Sequence, residues 1–270
     1  MSAPISVVLI TKNAAALLEK CLQSCAFADE IVVVDSGSSD ETVAIASAYK
    51  ARVIHQEWLG FGPQKQFAVS QASHDWVLCL DADEWLSEKL RNEIKALLNN
   101  PQQLSTIGAW RFARSNKFMG RFLKFGEGYP DYSLRLFDRR RARWSDDLVH
   151  EYVHSQGEVG TLRGDLMHES GEDIALYLSK QNRYTTLQAE NLYQRGKKAG
   201  SAKLLFSPLL RFVKFYLLRQ GFRDGLPGLV HISIGCFNSY IKYAKLIELH
   251  RHADSQHALA IAVDNHRQAE

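Results

Sequence analysis

The chain has 270 residues, of which 46% are hydrophobic and 23% charged, a composition that buries a full core and excludes a disordered or collagen-like polymer. Its formal net charge of +3 is unevenly spread: residues 1–100 carry 8 Lys/Arg against 13 Asp/Glu, and residues 195–251 carry 11 against 2. An acidic front and a basic rear segment imply different partners for each.

Met1 to Pro4 run straight into the apolar stretch Ile5 to Ile10, which lacks a basic flank or cleavage site, so export is not expected. That stretch, rich in β-branched residues, reads as a strand covered on both faces. Leu17, Leu18, Cys21, Leu22 and Cys25 follow at helical spacing, and Ile31 to Val34 form a second strand ending at Asp35. Ser36 to Asp40 make a polar turn, with Ser39 or Asp40 capping a helix through Tyr49. Arg52 to His55 and Trp76 to Leu80 read as third and fourth strands, with a helix from Pro63 to Ala72 between them. Ser87 then caps a helix whose core face is Leu90, Ile94, Leu97 and Leu98. Strand and helix alternate, which predicts a doubly wound α/β sheet that binds ligands at the carboxyl ends of its strands. Thr11-Lys12-Asn13, Asp35 and Asp81-Ala82-Asp83-Glu84 all stand at such ends.

From Ile107 to His154 the pattern changes to strand-like pieces (Gly108 to Phe112, Tyr132 to Phe137, Leu148 to His154), a mixed extension of the sheet. Beyond Asp173 the sequence is helical to the end, with breaks expected at Pro208, Gly221, Pro227 and Gly228. No stretch reaches the ~18 to 20 apolar residues of a spanning helix. Cys21, Cys25, Cys79 and Cys236 lack metal-type spacing and lie in apolar surroundings, so buried thiols of a reducing compartment are expected. Leu204 to Leu218 form an apolar helix interrupted by Arg211, Lys214 and Arg219. It reads either as a packing helix or, in better accord with the basic rear, as an interfacial helix on anionic lipid. The run Arg139 to Arg143 reads as a basic turn between strands, since no base-stacking aromatic pattern accompanies it and no nucleic acid is expected as partner.

Asp81 and Asp83, two residues apart at a strand end, make a hard-oxygen site suited to Mg²⁺ or Mn²⁺ with a substrate diphosphate as further ligand; the alternative is a solvated turn. Asp35 either accepts a hydrogen bond from a base or ribose or caps its own turn. Lys65 is a candidate phosphate partner. His150-Glu151-Tyr152-Val153-His154 also spells H-E-x-x-H, which would indicate a zinc hydrolase if it were helical, with His168 as a third ligand. Leu148-Val149 and Tyr152-Val153 favour strand instead, and His168 is alternatively a ligand of the metal at Asp83. A nicotinamide dehydrogenase is excluded by the absence of glycine after the first strand.

Four blocks in order, ISVVLITKN (5–13), IVVVDSGSSDET (31–42), Gly60 to Ala72 and WVLCLDADE (76–84), resemble the family 2 glycosyltransferases, inverting enzymes of the GT-A fold. The resemblance implies an α/β fold of that type, a Rossmann-like mixed sheet, with a helical C-terminal extension. It implies that Thr11, Asn13 and Asp35 contact the nucleoside of a nucleotide-sugar donor, that Lys65 helps hold it, and that Asp81 and Asp83 serve ribose, diphosphate and metal. Tyr129-Pro130-Asp131, Arg135-Leu136-Phe137, Trp144 and Val149-His150-Glu151 are similar to the narrower group that adds glucose to the lipopolysaccharide inner core, a similarity extending toward Gly221 to Gly225. The family's Glu-Asp base pair is absent, and His150-Glu151 stands in its place. Glu151 is the expected catalytic base, because an inverting transfer needs a carboxylate beside the acceptor hydroxyl; Asp147 and His150 are alternates. The expected organisation is a catalytic domain at 1–172, with a donor half at 1–100 and an acceptor and base half at 101–172, followed by a helical region at 173–270. The expected partners are a UDP-sugar, a lipopolysaccharide-core or other lipid-linked acceptor, and an anionic membrane touched from the cytoplasmic side. A membrane-binding module that keeps the fold without catalysis is the remaining alternative.

Overall fold

The computed structural model describes residues 2–147, 151–171 and 173–267, with side chains as far as residue 253. The chain forms two compact units, Met1–Lys117 with Tyr129–Ser170, and Phe118–Gly128 with Gly171–Glu270.

In the first unit β1 (Ile5–Thr11), α1 (Ala15–Ser24), β2 (Glu30–Asp35), α2 (Thr42–Ala48), β3 (Arg52–His55), α3 (Phe61–Ser70) and β4 (Trp76–Asp81) alternate as the sequence predicts. β5 (Glu84–Leu86), α4 (Glu88–Leu98), α5 (Pro101–Thr106) and β6 (Ala109–Phe118) follow. After a two-residue strand of the second unit, β7 (Arg121–Phe122), come β8 (Asp131–Asp138), β9 (Ala142–Trp144), β10 (Val153–Ser155) and β11 (Val159–His168). Among the described residues of this unit the sheet runs β3-β2-β1-β4-β8-β6-β11-β5. β1 is parallel to β2 and β4, whereas β8 is antiparallel to β4 and β6, so the sheet is mixed. β9 and β10 form a separate antiparallel pair.

The period of two along β4 explains why its sequence is apolar throughout. Trp76, Leu78 and Leu80 enter one core with Leu18, Leu22, Leu90 and Ile94, while Val77 and Cys79 enter the other with Val32, Val34, Ala68 and Trp144. Both faces are covered, and a slip of one residue would exchange the two sets. The same register sets Thr11 opposite Asp35 and Ile10 opposite Asp81. The carboxyl ends of three strands therefore meet where the chain leaves β1 in opposite directions, the place where open α/β sheets take ligands.

Several boundaries differ from expectation for local reasons. Asp40 does not simply cap α2: one oxygen accepts from Thr42 N at 3.1 Å and the other from Ala15 N at 3.1 Å, so it serves the starts of two helices. α3 begins at Phe61, ahead of Pro63, whose missing N–H is tolerated in a first turn. Gly62 packs against the loop after β9, where a Cβ would lie 2.3 Å from Ser145 O. α5, with Asn100 as its cap, and β11 were not foreshadowed by periodicity. β11 carries Gly164 where its backbone crosses Leu90, and a Cβ there would lie 2.3 Å from the Leu90 backbone. The arginines of 139–143 are consumed by structural partners: Arg140 pairs with Asp138 and Asp75, and Arg143 with Asp146.

The second unit contains α6 (Ile174–Gln194), α7 (Ser201–Phe212), a π-helical turn (Val213–Leu218), a 3₁₀ turn (Gly221–Asp224) and α8 (Gly225–Arg267). The expected breaks at Pro208, Pro227 and Gly228 do not occur. Pro208 lies inside α7, with the π turn following it, while Pro227 and Gly228 sit in the first turn of α8. The break expected at Gly221 does occur, with Gln220 before it at φ 55°, and a further one falls near Gly196 (φ 66°). Lys245 Nζ ties α8 to α6 through Asn182 Oδ1 and Thr186 Oγ1, each at 2.7 Å, and Ser207 meets Ser239 at 2.6 Å between α7 and α8. No helix among the described residues is long and apolar enough to cross a membrane. Cys21, Cys25 and Cys79 are buried free thiols, but Cys236 is only partly buried, on a stretch of α8 that also exposes Phe237.

Candidate functional site

At the end of β2 the Asp35 carboxylate is almost fully buried and takes four donors. Thr11 Oγ1 donates to Oδ1 at 2.8 Å, Gly37 N and Ser38 N donate to Oδ2 at 3.0 and 2.8 Å, and the Ser38 hydroxyl completes the set. Burial alone would raise this carboxyl, but the hydrogen bonds from Ser38, Thr11 and Gly37 outweigh it and hold it below the usual range. Asn13, with φ at 50°, accepts from Ser39 N at 2.8 Å and joins the two loops that follow β1 and β2. The turn-capping role of Asp35 is thus present, in the loop that follows β2.

Asp81 ends β4 within reach of two buried cations. Lys65 Nζ, on α3, lies 3.0 Å from Asp81 Oδ1 and 2.8 Å from Glu151 Oε1. Arg135, on β8, lies 2.8 Å from Asp81 Oδ2 and 3.2 Å from Glu84 Oε1. Burial would raise the Asp81 carboxyl, but Arg135 and Lys65 overcome this and hold it well below the usual carboxylate range. For Arg135 burial works against the charge, and Glu84 and Asp81 more than restore it. Lys65 and Arg135 also lie over the ring of Trp144, 4.9 and 5.4 Å from its centroid, while Trp144 Nε1 donates to Cys79 Sγ at 3.4 Å.

Asp83 points elsewhere. Its Oδ2 is 3.3 Å from His168 Nε2, and His168 Nδ1 is 2.7 Å from Asn116 Oδ1. Each ring nitrogen of His168 thus lies within reach of one side-chain oxygen, Asp83 on one side and Asn116 on the other. The pairing of β11 with both β5 and β6 creates this arrangement, with His168 opposite Glu84 on one side and Asn116 on the other. Among the described residues no three His, Cys, Asp or Glu side chains are spaced to hold a metal ion unaided. Asp83 and His168 offer one oxygen and one nitrogen, a fit for a divalent ion whose other ligands come from a substrate.

Glu151 joins this site through Lys65, and its side chain is 18% exposed. Asp147 is exposed, with its carbonyl accepting from Gly62 N at 3.2 Å, and His150 lies outside the described residues. The zinc-hydrolase geometry fails on the part that is described. Residues 153–155 are extended, His154 pairs in register with Arg143, and its ring lies 4.4 Å from that of Tyr152.

A family profile described as Glycosyl transferase family 2 matches residues 6–156. The lipopolysaccharide core biosynthesis glycosyltransferase LpsC of Rhizobium meliloti (strain 1021) is 33% identical over 254 residues, covering 92% of this chain and 93% of that protein. The chain belongs to glycosyl transferase family 2. An uncharacterized glycosyltransferase of Rickettsia prowazekii (strain Madrid E), RP128, is 32% identical over 254 residues, covering 91% of this chain and 87% of its own. Among solved structures, S. aureus TarS 1-349 in complex with UDP covers 93% of this chain and 92% of that one, at 15% identity and a TM-score of 0.46.

As a family 2 glycosyltransferase the chain is an enzyme of the GT-A type, with the mixed sheet and C-terminal helices described above. The sequence brought Asp35, Lys65, Asp81, Asp83 and Glu151 forward, and the fold gathers Lys65, Asp81 and Glu151 into one network. Arg135, Glu84, Trp144 and Asn116 had been given no role. Arg135 and Trp144 stood in the blocks that carry the narrower resemblance and Glu84 in the strand-end acidic cluster, and Arg135 and Glu84 are each expensive to bury unless paired.

The Asp35 turn yields a pH prediction. A carboxyl held low in the folded state stabilises it fully above the unfolded value, about 4, and that contribution is lost as pH falls toward the folded value. Thr11→Val removes one of the hydrogen bonds that lower it. The urea midpoint of the variant should therefore fall below that of the parent at pH 7, with the gap narrowing below about pH 4. A gap independent of pH contradicts the assignment.

Proposed function

We propose that the enzyme transfers a hexose, glucose first, from a UDP-sugar to a heptose of the lipopolysaccharide inner core or a similar lipid-linked glycan, inverting the anomeric centre. The observation that carries this reading is the bridge made by Lys65, which sets the Asp81 end of the donor crevice and the Glu151 carboxylate on either side of one ammonium. The name of the Rhizobium relative supports the acceptor class. Residues 1–172 carry catalysis, with the donor half at 1–100 and the acceptor and base half at 101–172, and 173–270 form the helical region.

Thr11, Asn13 and Asp35 shape the nucleoside pocket, and Lys65 turns from Asp81 toward the incoming diphosphate. Asp83 and His168 would hold Mg²⁺ or Mn²⁺ together with oxygens of the donor diphosphate, with Asp81 joining once Lys65 turns away, and the ion would supply positive charge to the leaving group. Arg135 keeps Asp81 anionic for that task, and Asn116 orients the His168 ring. Glu151, freed as Lys65 moves, accepts the acceptor hydroxyl proton while the new bond to C1 forms and the bond from C1 to the diphosphate oxygen breaks. UDP departs with that electron pair. With UDP-glucose, Mn²⁺ and a lipopolysaccharide-core acceptor, Glu151→Gln should lower turnover roughly 10²- to 10⁴-fold while leaving donor binding in place, and Asp83→Ala should abolish the Mn²⁺-dependent part of donor binding. Unchanged turnover in Glu151→Gln would remove Glu151 as base, and no turnover by the parent chain on any UDP-sugar would remove the reading itself.

The second unit fits a cytoplasmic enzyme that rests on the inner face of the inner membrane. Leu205, Leu209 and Leu217 line one side of α7 and the π turn, and Phe206, Leu210 and Leu218 the adjacent row. All six are more than half exposed, with Leu210 at 67% and Leu218 at 75%. Lys203, Lys214 and Arg219 lie on the same segment and suit anionic headgroups. Leu210→Asp with Leu218→Asp should abolish co-sedimentation with phosphatidylglycerol vesicles without lowering the melting temperature. Retained sedimentation contradicts this placement.

A further inference from the structure

Beside Glu151, on the side of β6, β8 and β10, the first unit contains a cleft of about 460 Å³, within the ~300–1,000 Å³ typical of small-ligand sites. None of its lining residues comes from the Thr11 or Asp35 turns, and it meets the Asp81 network through Arg135, Trp144 and Glu151. Two half-exposed aromatic rings line it, Tyr132 at 51% and Tyr152 at 53%. Large rings left this open next to a catalytic carboxylate offer flat apolar faces to a pyranose ring.

The charges of the cleft are not evenly spent. Arg135 is committed to Asp81 and Glu84, and Arg114 to Asp131 at 2.8 Å. Arg111 is different. Its Nε donates to Thr161 Oγ1 at 3.2 Å and its guanidinium carbon lies 4.8 Å from the centroid of the Tyr132 ring. Among the described residues it meets no carboxylate. The hydroxyl and the ring hold the guanidinium plane in place and leave its two terminal nitrogens uncommitted, the fork that binds phosphate or carboxylate with two parallel hydrogen bonds.

Resting on the transferase reading above, we infer that this cleft is the acceptor subsite and that it selects a sugar carrying a phosphate or carboxylate close to the hydroxyl that is glycosylated. Arg111 holds the anion, Tyr132 and Tyr152 hold the ring, and Glu151 faces the hydroxyl. An acceptor of this kind is anchored at two points on either side of the reacting oxygen, which fixes which hydroxyl reaches the base.

The test uses the full chain saturated with UDP and Mn²⁺, titrated with methyl α-mannoside, mannose 6-phosphate, glucuronic acid and inorganic phosphate. Mannose 6-phosphate or glucuronic acid should bind at least about tenfold more tightly than the neutral sugar, a gap typical of one added charge-assisted pair, and the charged sugar that does so tells phosphate from carboxylate. The gap should shrink as salt is raised. Arg111→Gln should bring the charged sugar down to the level of the neutral one, with UDP affinity reporting that the variant is folded. Equal affinities, a gap untouched by Arg111→Gln, inorganic phosphate binding as tightly as the phosphosugar, or no sugar bound while UDP binds would each overturn the inference. Failure of UDP itself to bind overturns the transferase reading and this inference with it.

Discussion

A buried ammonium with two carboxylates against it is the constraint on which the catalytic unit turns. Lys65 is 5% exposed, and an unpaired charge at that depth would cost several kcal/mol. Asp81 and Glu151 meet that cost from opposite sides, one on a central strand and the other on the chain leading into β10. Arg135 extends the pairing to Glu84, which has no exposed surface. The five charged side chains are paired with one another in the interior, so the network is also a positional lock. It ties α3, β4, β8 and the β10 approach to a common geometry, and Trp144 supplies the aromatic wall against which both cations lie.

The same arrangement gives the site its electrostatic readiness. Asp81 stays ionised despite burial because two cations face it, which its proposed role at a divalent ion requires. Yet those cations also mask it, and they mask Glu151 through Lys65. A diphosphate is the kind of ligand that relieves this, because it offers Lys65 a denser negative charge than either carboxylate. Donor binding and exposure of the base thereby become one event in the proposed mechanism.

Much of this was legible in the chain because the first hundred residues obey local rules. β1, β2 and β4 are mostly apolar runs that suit a doubly covered sheet, and each ends in a polar residue, Thr11, Asp35 or Asp81. Glu151 is 86 residues from Lys65, and their contact has no local signature. His168 finds Asp83 only because β11, a strand broken by glycines and charges, returns beside β5. Arg111 is one of many surface arginines until the pairing of β6 with β8 brings it over Tyr132. In the rear region proline was a poor guide, since a helix start accommodates Pro227 and Pro208 lies within α7.

The account stands on Lys65 as the group that exchanges Asp81 and Glu151 for a donor diphosphate. Calorimetric titration of UDP into the full chain, with and without Mn²⁺ and in the parent and Lys65→Met, tests it most directly. The account predicts Mn²⁺-dependent binding that weakens by at least about tenfold in Lys65→Met, the loss expected for one charge-assisted contact to phosphate. Binding of equal strength in the variant, or binding indifferent to Mn²⁺, would contradict it.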